Sequence, residues 1–187
     1  MDDGTIATIA TVVSVSRDSG HRFSKKIEQS IVLLEGLGVE GDAHAGVTVQ
    51  HLSRVRVDPT QPNLRQVHLI QTELFDELAE QGFEVNPGDL GENIATHGVD
   101  LLALPRGAVL HVGSNALIQL TGLRNPCVQI DRFQSGLLKA VVMQDADGQV
   151  VRKAGVMGIV TRGGTIAPGD TINVELPLGT QTQLERV

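Results

Sequence analysis

AGVMGIVTRGGTIAPGDTINVELP, residues Ala154 to Pro177, reads as strand, turn and strand. Small and β-branched residues fill AGVMGIVTRGG (Ala154 to Gly164) and TINVELP (Thr171 to Pro177), as a pleated, half-buried surface favours. Between them APGD (Ala167 to Asp170) sets Pro and then Gly where a type II turn needs a fixed φ followed by a positive one. NPGD (Asn86 to Asp89) repeats the device.

Further out the same signal recurs. TIATIATVVSV (Thr5 to Val15), SIVLLEG (Ser30 to Gly36), QVHLI (Gln66 to Ile70), AVLHVG (Ala108 to Gly113) and NALIQLTG (Asn115 to Gly122) all read as strands. Helix is sparse. TELFDELAEQG (Thr72 to Gly82) puts Leu74, Phe75 and Leu78 on one face, has acids in its first turns, and ends on a glycine. Shorter helices are expected from Pro126 to about Phe133 and at SGLLKA (Ser135 to Ala140). Many closely spaced strands with few helices predict a mostly β fold with a few short helices, a closed or partly open β-barrel. No long linker, charge run or repeat interrupts the chain. A single domain over 1–187 is expected, with its core over about 6–177 and a polar tail at 178–187.

The totals narrow the function. A length of 187 residues with 41% hydrophobic content suits one domain with a real core. Aromatics are 2%, and the formal charge is −7, so neither a base-stacking platform nor a broad basic nucleic-acid footprint is expected. A local cationic pocket for a small anion stays open. The acidic start MDDGTIATIA has no secretory pattern, and no apolar run approaches the ~20 residues of a membrane helix. One cysteine, Cys127, cannot form an internal disulfide, and the cytoplasm is the expected location.

Cys127 lies in TGLRNPCVQI (Thr121 to Ile130). Asn125 is a good N-cap and Pro126 suits the first helical position, which would set Cys127 in the first turn. A thiolate there faces free backbone N–H groups and the positive end of the helix dipole, and Arg124 adds to the effect. Such a thiol suits a nucleophile, a persulfide carrier or a soft metal ligand. A small buried hydrophobe is the plain alternative.

Two glycine-rich loops also stand out. GLGVEGDAHAG (Gly36 to Gly46) can approach a ligand closely and present N–H groups to an anion. It lacks both the P-loop ending and GxGxxG spacing. Asp42, His44 and His51 are candidate metal or cofactor contacts without a diagnostic metal spacing, and the favoured reading is that Asp42 and His44 fix the loop through backbone hydrogen bonds. In GDLGENI (Gly88 to Ile94), Glu92 and Asn93 either brace a turn or read a heterocycle. Arg54, Arg56 and Arg65 flank a loop that either places charge near an anion or is simply solvated. His68 and His111, on strands, are expected to be structural.

Taken together, GLGVEGDAHAG, His51, PNLRQVHLI (Pro62 to Ile70), GDLGENI, TGLRNPCVQID (Thr121 to Asp131) and AGVMGIVTRGGTIAPGD (Ala154 to Asp170) resemble a stand-alone MOSC domain. That family is named for the C-terminal domain of molybdenum cofactor sulfurases. The resemblance runs roughly from Ile6 to Pro177 and implies a barrel-like β fold and association with the molybdenum cofactor, a phosphate-bearing pterin dithiolene. It implies that Cys127 either ligates molybdenum in a reductase of N-hydroxylated substrates or carries sulfur as a persulfide to molybdoenzymes, the carrier alternative including delivery of intact cofactor to an apo-enzyme. Arg124, Asn125 and loop N–H groups would then hold the anionic end, with Glu92 or Asn93 at the pterin. Full sulfurases carry a pyridoxal phosphate lysine in a further domain, for which 187 residues leave no room; that cofactor is not expected. Expected partners are an electron-donor reductase or a cysteine desulfurase. A barrel that has no cofactor and takes another anion is the third alternative.

Overall fold

Alternation decides which way each strand faces, and the computed structural model describes it for residues 10–187. The strands are β1 (Ala10–Arg17), β2 (Lys26–Glu28), β3 (Ile31–Leu34), β4 (Gly38–Val39), β5 (Val67–Gln71), β6 (Ile94–His97), β7 (Val109–Val112), β8 (Ala116–Leu123), β9 (Val142–Gln144), β10 (Val150–Arg152), β11 (Val156–Arg162), β12 (Gly164–Ile166) and β13 (Thr171–Glu175). The α-helices are α1 (Leu52–Val55), α2 (Glu73–Glu80), α3 (Gln129–Phe133) and α4 (Leu137–Val141). The part of the expected first strand before Ala10 lies outside the described residues.

Seven strands close into a barrel in the order β13-β7-β8-β11-β5-β6-β1, and β1 returns to β13 through Ala10 and Thr11. Every pairing is antiparallel except β5 with β6. β8 shows the period: Ala116, Ile118 and Leu120 are buried while Leu117 and Gln119 between them are partly exposed. The inward set joins Val12, Leu69, Leu110, Val156 and Ile172 in one core. Each fully buried Leu or Ile there contributes about 1.5–3 kcal/mol. The parallel pair is covered on both faces, as parallel strands usually are. Outward-facing Ile70 and Ala95 pack beneath α2, α3 and α4 with Leu74, Leu78, Ile130 and Leu137. A smaller sheet, β12-β3-β4, lies beside the barrel.

Both Pro-Gly turns form as expected. Gly88 and Gly169 have φ of 89° and 92°, and the Asp89 and Asp170 carboxylates accept from the Asn86 and Ala167 N–H at 2.8 Å. Three expectations are corrected. AGVMGIVTRGG is two strands, because Gly163 breaks the run: a Cβ there would lie 2.7 Å from Leu33 O, and β12 leaves the barrel to pair with β3. The helix expected from Pro126 begins only at Gln129, with Val128 as its cap residue. The polar tail is docked. Leu184 is buried in the barrel core, Leu123 N–H donates to Glu185 O at 2.7 Å, and Arg186 bridges to Leu123 in parallel. Among the described residues no helix is long and apolar enough to cross a membrane.

Candidate functional site

Three loops converge beside the outer helix layer: residues 18–25 after β1, residues 42–65 around α1, and residues 124–129 after β8. They enclose a cavity of about 890 Å³. Its described lining contains Arg22, Lys25, Arg54, Arg56, Arg65 and Arg124, four histidines, and no aspartate or glutamate. On a chain of formal charge −7 this is a concentrated cationic cavity.

Arg124 carries the strongest signal. It is 8% exposed, its guanidinium stacks 5.8 Å from the Phe23 ring centroid, and its buried Nη1 has no hydrogen-bond partner. Its backbone is fixed by donation from Arg124 N–H to Gly155 O at 3.0 Å. Burial holds its pKa below the usual arginine value, opposed by Cys127 and Glu92. A buried donor without an acceptor costs about 1–3 kcal/mol. Arg65 donates from Nη1 to Val187 O at 3.2 Å, and burial, then the charges of Arg54 and Arg124, push it down to about 10. Cations held this close repel one another.

Cys127 also lines the cavity, half-buried. Its Sγ–H donates to Gln129 Oε1 at 3.4 Å, and its carbonyl accepts from Ile130 N–H at 3.0 Å. It precedes the helix cap and is not in the first turn; Asn125 does not cap α3 but is exposed at the cavity edge. The charges that face the thiol are arginines, not a helix end.

The other expected site residues divide into those at the cavity and those beneath it. His44 and His51 line it with ring centroids 6.4 Å apart, and His21 stands edge-on to His44 at 5.4 Å. Burial, then Arg65, lowers His51 to about 4, so it is neutral at pH 7 and its Nδ1 pairs with Ser53 Oγ at 2.8 Å. His68 is buried and held well below its usual range by desolvation and then Arg124. Its neutral ring pairs through Nε2 with Ala154 O at 2.8 Å, the structural role expected of it. His111 is half-exposed and pairs with Glu175 at 2.7 Å.

Asp42 is not at the cavity. Its fully buried carboxylate takes Lys25 Nζ at 2.8 Å, Asn93 Nδ2 at 3.0 Å, His44 N–H at 2.9 Å and Asp18 N–H at 3.2 Å. Asn93 touches the cavity, yet its polar atoms are committed: Oδ1 accepts from His68 N–H, and Nδ2 donates to Ser16 O and Asp42. Glu92 is turned inward at 1% exposure, where Oε1 accepts from Gly88 N–H and Oε2 has no partner. Asn93 therefore has no uncommitted polar atom, and the unpartnered Oε2 of Glu92 is buried on a residue that does not line the cavity. No group of three or more His, Cys, Asp or Glu among the described residues could hold a metal ion.

Burial raises Glu92 from 4.5 to about 6. The folded state therefore holds the proton more tightly than the unfolded chain, and stability falls as pH rises between those two values. Glu92→Gln is expected to gain about 2 kcal/mol on wild type between pH 4 and pH 7. Urea denaturation at both pH values checks this, and a difference that stays constant with pH would refute it.

The sequence directed attention to two glycine-rich loops but not to SRDSGHRFSKK (Ser16 to Lys26), which supplies His21, Arg22, Phe23 and Lys25. Its signal was a run of basic residues and histidine directly after a strand. The MOSC domain family matches this chain over residues 42–173, more than half its length. The chain belongs to the MOSC domain family. The crystal structure of the YuaD protein from Bacillus subtilis is 26% identical, aligns over 88% of this MOSC chain and 94% of its own, and superposes with a TM-score of 0.72. Two YiiM structures share the fold at lower identity. That from Escherichia coli is 19% identical over 92% of this chain and 73% of its own, with a TM-score of 0.59. That from Geobacillus stearothermophilus is 18% identical over 89% and 73%, at 0.56. No curated protein sequence matches the chain.

Proposed function

We propose that this MOSC protein binds the molybdenum cofactor in the cationic cavity and reduces N-hydroxylated substrates there with electrons from a partner reductase. The observation that carries the reading is that Arg124, with its buried Nη1 unpartnered, lines the same cavity as the only thiol, with no described carboxylate lining it. The residues fit the group. Arg124 and Arg65 would hold its phosphate by charge-assisted hydrogen bonds, and Cys127 is the soft donor that molybdenum favours. When bound, the cofactor supplies a redox metal for two-electron reduction of an N–O bond. Overall an N-hydroxyl compound, two electrons from the reductase and two protons give the amine and water.

The chain's own residues bind and orient. Phe23 and Met157 present apolar walls, and neutral His51 and half-exposed His44 present imidazoles in the same cavity. The half-exposed thiol also suits a carrier role: a donor persulfide would pass its terminal sulfur to Cys127, leaving the donor thiol and a Cys127 persulfide. Bound molybdenum separates the two. Protein from a host that makes the cofactor is expected to carry molybdenum, and Cys127→Ser at least about 10-fold less. Equal and negligible metal in both would sink the reductase reading. A sulfur-mass adduct at Cys127 after incubation with a cysteine desulfurase and cysteine would then favour the carrier.

A further inference from the structure

Six basic side chains line the cavity, and two already have acidic partners. Lys25 pairs with Asp42 at 2.8 Å and Arg22 with Asp18 at 2.5 Å. Arg54, Arg56, Arg65 and Arg124 pair with no Asp or Glu among the described residues. A phosphate monoester brings at most about two negative charges, fewer than the four guanidiniums carry.

The four also divide in space. Arg65 and Arg124 belong to the segments at β5 and β8 and are mostly withdrawn from solvent. Arg54 and Arg56 belong to α1 and its C-terminal cap, a four-residue helix that buries none of its residues. No hydrogen bond to another side chain holds either guanidinium among the described residues. Leu52, 51% exposed, and Val57, 81% exposed, flank them on the cavity lining. A helix that buries none of its residues and presents two free guanidiniums and two bare aliphatic side chains is built to meet a ligand that is both anionic and partly apolar.

We infer that Arg54 and Arg56 form an outer anion subsite that selects substrates carrying their own carboxylate or phosphate. The substrate class is an N-hydroxylated organic anion, with its reducible end toward Cys127 and its charged end at α1. This rests on the cofactor reading for the inner half of the cavity. A cationic amidine-type substrate is disfavoured, because no lining acid receives it and every lining charge repels it.

The test uses protein purified from a cofactor-making host and compares equilibrium binding of benzamidoxime with its para-carboxylate and para-phosphate. At least one anion is expected to bind about 10-fold tighter than the neutral parent. In Arg54→Gln/Arg56→Gln the gap should shrink to within about 2-fold, with molybdenum content unchanged. The carboxylate and phosphate arms identify which anion the subsite takes. Equal affinity for all three probes, weak binding of both anions, or a gap that survives in the double variant overturns the inference. Loss of molybdenum from the double variant also overturns it, since those arginines would then serve the cofactor. Wild type lacking molybdenum but showing the arginine-dependent gap would defeat the cofactor reading and leave the anion subsite standing.

Discussion

Asp42→Asn is expected to lower the stability of the protein by about 3–5 kcal/mol at pH 7, read by urea denaturation. The variant keeps the shape of the side chain and removes only its charge. Lys25, whose side chain is 4% exposed, then has no counter-ion in contact, and a buried charge stripped of its partner is the costly half of a broken pair. Geometry adds to the cost. The Asp42 oxygens accept from Lys25, Asn93 and two backbone N–H groups, so an amide nitrogen placed there would point a donor at donors. Burial alone would raise this carboxyl, but His44 and Lys25 outweigh it and hold it well below the usual carboxylate range. A depressed folded pKa means the contribution is fully present above the ordinary value of 3.8 and fades as pH falls below it. The gap between wild type and variant should therefore narrow below that pH. A loss under about 1 kcal/mol at pH 7 would show that Lys25 finds another partner or releases its proton. The residue read from sequence as a possible ligand contact thus acts one layer below the cavity. It braces the loop that carries His44 and the Asn93 amide that holds β1 to β5.

What the sequence revealed, and what it hid, follows from the range of the interactions. The long strands and α2 were legible because their signals are local: β-branched runs, an apolar face at helical spacing, Pro-Gly turns. Closure of the barrel was an expectation of class only, since the Ala10 to Ile172 contact joins residues that no local pattern links. β2 and β9 are short and largely exposed, so nothing in KIE or VMQ marks them. The start of α3 was misplaced for a physical reason. Asn125-Pro126 is a sound local capping signal, but Arg124 N–H is still tied to Gly155 O just past β8, and the helix is not entered until Val128. The tail was misread because its polar composition hides one buried residue, Leu184. Among the site residues, Cys127 and Arg124 were legible as a pair because they are three apart. Arg22, Lys25, Arg54 and Arg65 meet them only through tertiary structure, and their convergence could not be read from spacing.

Gly155→Ala is expected to cost on the order of 3–5 kcal/mol, and the loss should spread to the cavity. Gly155 joins Ala154 to β11 with φ of 91°, a region where an L side chain is strained in any surroundings. Its surroundings are also closed. A Cβ would overlap Leu69 O and lie 2.6 Å from Ile70 Cγ1 and 3.0 Å from His68 Nε2. The first of these is backbone of a central barrel strand and cannot swing aside. Gly148→Ala is the matched control, with φ of 75° at an exposed turn where nothing lies within 4 Å of the added atom. It should cost only about 1 kcal/mol, the conformational part alone. The difference between the two variants measures the steric part, and equal losses would refute the packing argument. The spread to the cavity has a definite route. Gly155 O accepts the Arg124 N–H, and Ala154 O accepts from His68, so a displaced backbone shifts both groups. Folded Gly155→Ala, compared with Gly148→Ala at equal stability in low urea, is therefore expected to bind inorganic phosphate several-fold more weakly. Unchanged phosphate affinity would mean that Arg124 keeps its position without this backbone anchor.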